Sequence, residues 1–190
     1  MNKIIILFLL VTTNVYSKPI FIGDSLTYSL AVSAKNINPV DAFYLEGTGL
    51  SSDRLLDWQS YINEINFQGY DDIYISLGAN DAIKKEEITN YVNMGVSFVE
   101  KIKNNSDNIN ITWIIPPVMK NKELESKLKN TRFAIYKICN NTKINCFNPN
   151  IILGDDFSFK FKEKQIRTSD GVHYTPQGAD LIINNIFKGI

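Results

Sequence analysis

A single histidine, His173, is the residue best suited to proton transfer near neutral pH in this 190-residue chain, since an unperturbed imidazole titrates in that range. Asp170 precedes it by three residues in the stretch DGVHYT (170–175). In a turn or at the start of a helix, that spacing lets a carboxylate accept a hydrogen bond from the imidazole Nδ1–H and stabilise the imidazolium. An Asp–Gly turn beside an ordinary histidine is the alternative interpretation.

The stretch FIGDSLTYS (21–29) contains a candidate nucleophile, Ser25. Ser25 comes directly after a predicted strand and opens a predicted helix. Its hydroxyl is therefore expected at a sheet edge, and its backbone N–H at a helix N-terminus, where the amides favour developing negative charge. A serine, a base and an orienting acid are the groups that nucleophilic acyl transfer needs. Asp24 or Ser25 could instead serve only as the helix cap.

Two further segments follow predicted strands and contain candidate hydrogen-bond donors. LEGTGLSS (45–52) contains Gly47 and Gly49, and glycine can present its backbone N–H to a ligand without a side chain in the way. SLGANDA (76–82) contains Asn80, whose side-chain amide is a donor. Each residue is also ordinary in a turn. The order of the segments, each at a strand end or in a loop, favours one shared site at the edge of a sheet.

The elements that must position these residues alternate between short apolar runs and amphipathic stretches. This alternation predicts an α/β sandwich with a mostly parallel sheet. Residues 154–169 are less regular, and alternating phenylalanines there indicate a surface strand or hairpin. The predicted strands are 19–23, 40–46, 71–78, 110–115 and 144–147, and the predicted helices are 25–35, 52–65, 85–104, 121–139 and 176–187.

Taken together, the segments resemble the four sequence blocks of the SGNH (GDSL-type) hydrolase family. The likeness extends from residue 20 to the final helix. The stretches TGLSSDRLLDW, WIIPPV and IRTSDGVHYTPQGADLI are similar to a bacterial cell-envelope branch of that family, and they favour Gly49 over Gly47 as the second-block glycine. The blocks read Gly23-Asp24-Ser25-Leu26, then the glycine after the second strand, then Gly78-Ala79-Asn80-Asp81, then Asp170-Gly171-Val172-His173.

The resemblance implies a flavodoxin-like three-layer α/β/α sandwich with about five parallel strands. It implies that Ser25 is the nucleophile, that His173 exchanges the proton, and that Asp170 orients His173. The N–H groups of Ser25 and Gly49 and the side-chain amide of Asn80 would form the oxyanion hole. Members of this family need no metal and no organic cofactor, so none is expected here.

The resemblance also implies ester hydrolysis. We expect a serine esterase that removes a small acyl group, most plausibly acetyl, from a cell-envelope or extracellular glycan through an acyl-enzyme intermediate. Short segments between the blocks leave little sequence for a large lid, which favours an open site. One alternative is a lysophospholipase or thioesterase with a hydrophobic groove near Ser25, using the phenylalanines at 157–161. The other alternative is a glycan-binding or assembly protein without catalysis.

The N-terminus has the pattern of a Sec signal peptide: a basic start (MNK), an apolar run (IIILFLLVTT) and small residues before a cleavage point after Ser17. The expected parts are a signal peptide at 1–17 and one hydrolase domain at 18–190, which predicts a periplasmic or secreted protein. The apolar run is short for a spanning helix. No stable membrane insertion is expected once the signal peptide has been removed. An uncleaved anchor and a buried first strand are the alternatives.

Composition excludes some partners. The chain has 20 basic and 20 acidic residues, so no electrostatic nucleic-acid binder is indicated. Two cysteines and one histidine make a structural zinc site or a His-rich metal site improbable. Cys139 and Cys146 could form a disulfide in an oxidising compartment or remain free thiols; their spacing fits a helix end joined to the next strand. The expected partner is an ester, with acylated carbohydrate favoured, and the oligomeric state is left open.

Overall fold

A computed structural model of the protein describes residues 18–106 and 109–188, so the predicted signal peptide lies outside the described residues. One parallel sheet has the spatial order β2-β1-β3-β4-β5. Because β1 lies between β2 and β3, the segments that follow these three strands leave the sheet side by side. The strands are β1 (Pro19–Gly23), β2 (Asp41–Tyr44), β3 (Asp72–Ser76), β4 (Asn110–Ile114) and β5 (Asn145–Phe147).

Helices cover both faces of the sheet, which confirms the predicted three-layer α/β/α sandwich. Side chains alternate along a strand: Ile20 and Ile22 of β1 pack into the core beneath α3 and α4, whereas Phe21 packs beneath α1 and α6. The helices are α1 (Ser25–Lys35), α2 (Trp58–Tyr61), α3 (Ile88–Asn104), α4 (Lys122–Thr142), α5 (Asn150–Leu153) and α6 (Pro176–Lys188).

The predicted helix at 52–65 is wrong over its first half. Residues 52–57 form an irregular segment, and a regular helix begins only at Trp58, where the Asp57 side chain accepts a hydrogen bond from Gln59 N. After α2, residues 62–64 continue as a 3₁₀ turn. Leu55 and Trp58 would share one face of the predicted helix, but Leu55 is 54% exposed while Trp58 is buried. The tertiary contacts of the preceding residues, described below, hold this segment away from helical geometry.

The C-terminal half contains a hairpin and a disulfide. Strands β6 (Lys160–Phe161) and β7 (Lys164–Gln165) pair antiparallel within the stretch predicted to hold a surface strand or hairpin. Cys139 of α4 is bonded to Cys146 of β5, which resolves the two alternatives in favour of the disulfide. The helix end and the strand joined by this bond are the elements that the spacing indicated.

Candidate active site

Ser25, His173 and Asp170 form one chain of hydrogen bonds. The Ser25 Oγ lies 2.9 Å from His173 Nε2, and His173 Nδ1 lies 2.8 Å from Asp170 Oδ2. With the Nδ1 proton donated to the carboxylate, Nε2 is left as the acceptor for the serine hydroxyl proton. Ser25 is half-buried and the side chain of His173 is 42% exposed. A substrate can therefore reach both groups from solvent.

The loop that contains Asp170 and His173 is held by the Asp170 carboxylate itself. Its Oδ1 accepts hydrogen bonds from Thr168 Oγ1 at 2.7 Å, Val172 N at 2.7 Å and His173 N at 3.0 Å. Partial burial raises the pKa of Asp170, but the hydrogen bonds from His173, Thr168 and the backbone outweigh that effect, and the net pKa lies well below its ordinary value. Asp170 is therefore an anion at neutral pH.

Ser25 is the first residue of α1, and the N-terminal amides of a helix have no intrahelical partner. A close contact between two strand ends places it there. A Cβ atom on Gly23 would lie 2.0 Å from the Ser76 carbonyl oxygen, so only glycine fits at the end of β1. Asp24 N then donates to the same carbonyl oxygen at 2.9 Å.

Asp24 does more than cap the helix. It is fully buried, and its carboxylate accepts hydrogen bonds from Leu26 N at 3.0 Å and from Ala79 N at 3.3 Å. It thereby joins the turn after β1 to the loop after β3, which carries Asn80. Burial raises the pKa of Asp24 to about 7, because desolvation outweighs the backbone hydrogen bonds that favour the charged form.

Asn80 and Gly49 lie on adjacent loops that are hydrogen-bonded to each other. Asn80 Nδ2 donates to the carbonyl oxygen of Thr48 at 2.8 Å. That bond uses one of the two amide protons and fixes the side chain, which leaves the second proton for a ligand. Gly49 follows Thr48 directly and is buried, whereas Gly47 adopts a positive φ of 71°. The three segments after β1, β2 and β3 are thus connected around Ser25.

Asp81 is a structural contributor that the sequence analysis did not single out. Its Oδ2 accepts from Leu50 N at 3.0 Å and from Tyr91 Oη at 2.7 Å, and its Oδ1 accepts from Ser51 N at 2.9 Å and Ser51 Oγ at 2.6 Å. The only sequence signal was an acidic residue next to Asn80, which is equally typical of a turn. These bonds tie the loop after β2 to the loop after β3 and to α3.

A groove of about 430 Å³ lies between α1 and α6 and opens beside Ser25 and His173. We call it the α1–α6 groove; its lining includes Ser25, Tyr28, Val32, Asn36, Glu46 and Asp180. The phenylalanines at 157–161 are not among its lining. Phe157 and Phe159 contact each other and pack against Arg167 and Lys120, respectively.

Within residues 18–106 and 109–188, no group of three or more His, Cys, Asp or Glu side chains is arranged to hold a metal ion. Over the same residues, no helix has both the length and the apolar character required to cross a bilayer.

The fold and the order of the loops around Ser25 define an SGNH/GDSL-type hydrolase fold, as the resemblance implied. The chain belongs to the family described as protein of unknown function (DUF459), an SGNH-like family whose model matches residues 19–189. No curated protein matches the sequence significantly.

Solved structures share the fold at low sequence identity. A protein from Desulfitobacterium hafniense, described as a lipolytic protein of the G-D-S-L family, has a TM-score of 0.72 at 15% identity and covers 92% of this chain and 99% of its own. A carbohydrate acetylesterase from Sinorhizobium meliloti has a TM-score of 0.67 at 14% identity, and the match covers 90% of this chain and 97% of that acetylesterase. An aryl esterase from M. smegmatis has a TM-score of 0.64 at 13% identity, and the match covers 90% of this chain and 97% of that esterase.

Proposed function

We propose that the protein is a serine ester hydrolase in which Ser25 is the nucleophile, His173 the general base and acid, and Asp170 the orienting anion. The observation that carries this proposal is the unbroken chain of hydrogen bonds from Ser25 Oγ through His173 to Asp170. Ester hydrolysis by proteins that share the fold supports it. A retained scaffold without activity would not require this alignment of three titratable or nucleophilic groups.

In the proposed reaction, Ser25 Oγ forms a bond to the ester carbonyl carbon while its proton passes to His173 Nε2. The carbonyl oxygen becomes an oxyanion and accepts hydrogen bonds from Ser25 N–H, Gly49 N–H and the Asn80 amide. The C–O bond to the alcohol then breaks, and His173 returns the proton to the departing oxygen. A water molecule attacks the acyl-enzyme by the same route and releases the acid.

The substrate class that we propose is a small acyl ester, most plausibly acetyl, of a cell-envelope or extracellular glycan. An acetylesterase that acts on carbohydrate shares the fold. The site opens directly to solvent, and the α1–α6 groove combines an exposed tyrosine ring with amide and carboxylate groups, which suit a sugar. The secretory pattern of the first 17 residues is consistent with an envelope or extracellular substrate.

A second candidate is hydrolysis of longer acyl esters. The observation that favours it is the exposed apolar surface of Tyr28 and Val32 in the α1–α6 groove, 53% and 47% exposed. This groove does not use the phenylalanines at 157–161 that the sequence suggested for such a role.

The decisive test is hydrolysis of p-nitrophenyl esters from acetate to palmitate by residues 18–190 and by Ser25→Ala. We expect activity on acetate that Ser25→Ala lowers by at least about 10³-fold. Ser126→Ala, which changes an exposed serine of α4, is the matched control and should retain full activity. A preference for esters with long acyl chains would favour the second candidate function over hydrolysis of acetyl esters. Equal turnover by the wild type and Ser25→Ala, or no turnover at all, would refute the proposed function.

We further propose export to the periplasm or the medium, with cleavage after Ser17. The mass of the protein recovered from each fraction of the producing cell measures this directly. Recovery of a chain beginning at Lys18 outside the cytoplasm is the expected result. A full-length chain in the membrane fraction would favour the uncleaved anchor instead.

A further inference from the structure

The α1–α6 groove is an extension of the candidate active site along one helix. The groove is lined by α1 and its C-cap at positions i, i+3, i+4, i+7, i+8 and i+11, which are Ser25, Tyr28, Ser29, Val32, Ser33 and the capping residue Asn36. That spacing places them on one face of the helix. With a rise of 1.5 Å per residue, the stripe runs for about 16 Å from the nucleophile. This length exceeds an acetyl group several-fold, so the groove is built for another part of the substrate.

The groove borders the proposed nucleophile and the proposed base. Ser25 and His173 line it, while the proposed oxyanion donors Gly49 and Asn80 are not among its lining. In ester hydrolysis, the departing alcohol oxygen must lie next to His173 Nε2, because that nitrogen returns the proton to it. The carbonyl oxygen points the other way, towards the donors. The part of the substrate in the groove is therefore the alcohol.

The groove walls offer both an apolar face and hydrogen-bonding groups. Tyr28 is 53% exposed, and its ring lies 5.5 Å from the Tyr44 ring, centroid to centroid, in a tilted arrangement. On the α6 side, Asp180 Oδ1 accepts a hydrogen bond from Ser33 Oγ at 2.5 Å, which orients the carboxylate. A sugar ring has an apolar C–H face and a rim of hydroxyls, and this combination matches it better than a uniform alkyl chain.

The charge of the groove restricts which sugar can bind. Its lining includes two carboxylates, Glu46 and Asp180, and no Lys or Arg side chain. Lys162 and Lys164 line a neighbouring cavity together with Asp180, whereas Glu46 is not part of the lining of that cavity. A negatively charged alcohol would be repelled at short range in this partly enclosed site.

We propose that the α1–α6 groove binds the alcohol part of the substrate, a sugar without negative charge. Tyr28 supports its apolar face and Glu46 disfavours anionic sugars. This inference rests on the proposed function, because it assigns the leaving group of the same reaction.

The experiment compares kcat/KM for the O-acetyl esters of methyl glucoside, methyl glucosaminide and methyl glucuronide. The wild type should prefer the first two over the glucuronide by about 10-fold, and Glu46→Gln should reduce that preference by about 3- to 10-fold. Tyr28→Ala should raise KM for the glucoside ester by about 5-fold. The matched controls are Glu86→Gln and Tyr136→Ala, exposed residues outside the groove, which should change neither quantity.

The outcomes separate this inference from the proposed function. Ser25-dependent hydrolysis with the same preference in Glu46→Gln as in the wild type would overturn the assignment of the groove while leaving the esterase intact. A Tyr28→Ala variant that raises KM for p-nitrophenyl decanoate but not for the sugar esters would assign the groove to the acyl chain. Hydrolysis independent of Ser25, or none, would overturn the proposed function and the inference with it.

Discussion

Gly49 lies so close to Asp81 that a Cβ atom on Gly49 would be 2.2 Å from the carboxylate Oδ1. The same carboxylate accepts hydrogen bonds from the backbone N–H of Leu50 and of Ser51. Asp81 also follows Asn80 directly in the chain. One side chain therefore sets the position of the two proposed oxyanion donors that come from outside the β1–α1 turn.

We expect Asp81→Asn to lower kcat on p-nitrophenyl acetate by about 10- to 100-fold. The asparagine amide accepts hydrogen bonds only through its oxygen, whereas both carboxylate oxygens of Asp81 accept them. The NH₂ group of the variant would therefore face the N–H of Leu50 or Ser51 and displace the loop. Loss of one well-placed oxyanion donor costs about 10²–10³ in rate, and displacement costs less. Steady-state kinetics measure the effect, and KM should change much less than kcat.

Two variants control for this effect. Asp155→Asn changes an exposed aspartate between α5 and the hairpin and should retain full activity. Tyr91→Phe removes one of the donors to Asp81 and keeps the carboxylate, so its loss of kcat should be smaller than that of Asp81→Asn. If Asp81→Asn raised KM alone, a role in placing the oxyanion donors would be excluded.

Asp170→Asn is expected to lower kcat by about 10²–10⁴ without unfolding the protein. The variant can no longer hold the imidazole with Nε2 free to accept the serine proton. In the wild type, activity should fall on acidification, because a general base must be neutral to accept the serine proton. Asp170 should stay anionic between pH 4 and pH 9, since its pKa lies well below its ordinary value. A pH–rate profile from pH 4 to 9 checks this. Unchanged rates over that whole range would argue against an imidazole base.

Asp24 should make the stability of the fold depend on pH. Its pKa is raised from 3.8 to about 7 in the folded state, so the folded protein binds the proton more tightly than the unfolded chain. The contribution of Asp24 to the free energy of unfolding is fully present below about pH 4, and it is lost as the pH rises to about 7. The total loss is roughly 4 kcal/mol.

Asp24→Asn tests this linkage, because the amide resembles the protonated acid and does not titrate. The free energy of unfolding of the wild type, minus that of the variant, should decrease between pH 5 and pH 8 in urea titrations. Asp57→Asn is the control. Because hydrogen bonds from Ser60 and Gln59 lower the pKa of Asp57, the difference in free energy of unfolding between the wild type and this variant should be constant from pH 5 to pH 8. Parallel wild-type and Asp24→Asn curves would contradict the raised pKa.

The Cys139–Cys146 disulfide should stabilise the fold without affecting catalysis. The bond closes a short segment between α4 and β5, and β5 is the edge strand farthest from β2 in the sheet. A serine pair at both positions should lower the free energy of unfolding by about 2 kcal/mol, as expected for a short closed loop. Urea denaturation beside an ester assay checks both parts. If the folded serine variant had a lower kcat than the wild type, the expectation that the disulfide does not affect catalysis would be wrong.

The sequence predicted the sheet well because apolar periodicity reports burial on both faces. The stretch PIFIG is fully buried, because β1 is an interior strand of the sheet, between β2 and β3, and helices cover both of its faces. The helix predicted at 52–65 failed for a tertiary reason. Leu55, Leu56, Trp58 and Ile62 have helical spacing, but Asp81 binds the backbone N–H groups just before them, and local periodicity contains no information about that distant carboxylate.

The sequence predicted those site residues whose side-chain type alone suggests a catalytic role. Ser25, Asn80, Asp170 and His173 were each expected at a strand end or in a loop, and the structure brings Ser25, Asp170 and His173 into one hydrogen-bonded chain. The α1–α6 groove was not predictable, because its lining comes from two helices and from the loops after β2 and before α6, which are neighbours only after the chain folds. A polar or aromatic residue on an exposed helical face gives no sequence signal for such a role.

The catalytic groups and the groove depend on different parts of the fold. The hydrogen-bonded loops around Ser25 are fixed by the carboxylates of Asp24 and Asp81 at the ends of β1 and β3. The groove is formed by side chains of α1 and α6 together with exposed Glu46 after β2. Exposed helical positions tolerate substitution with little loss of stability. Substrate preference can therefore diverge among relatives by changes at Tyr28, Val32 or Glu46 while the reaction itself is preserved.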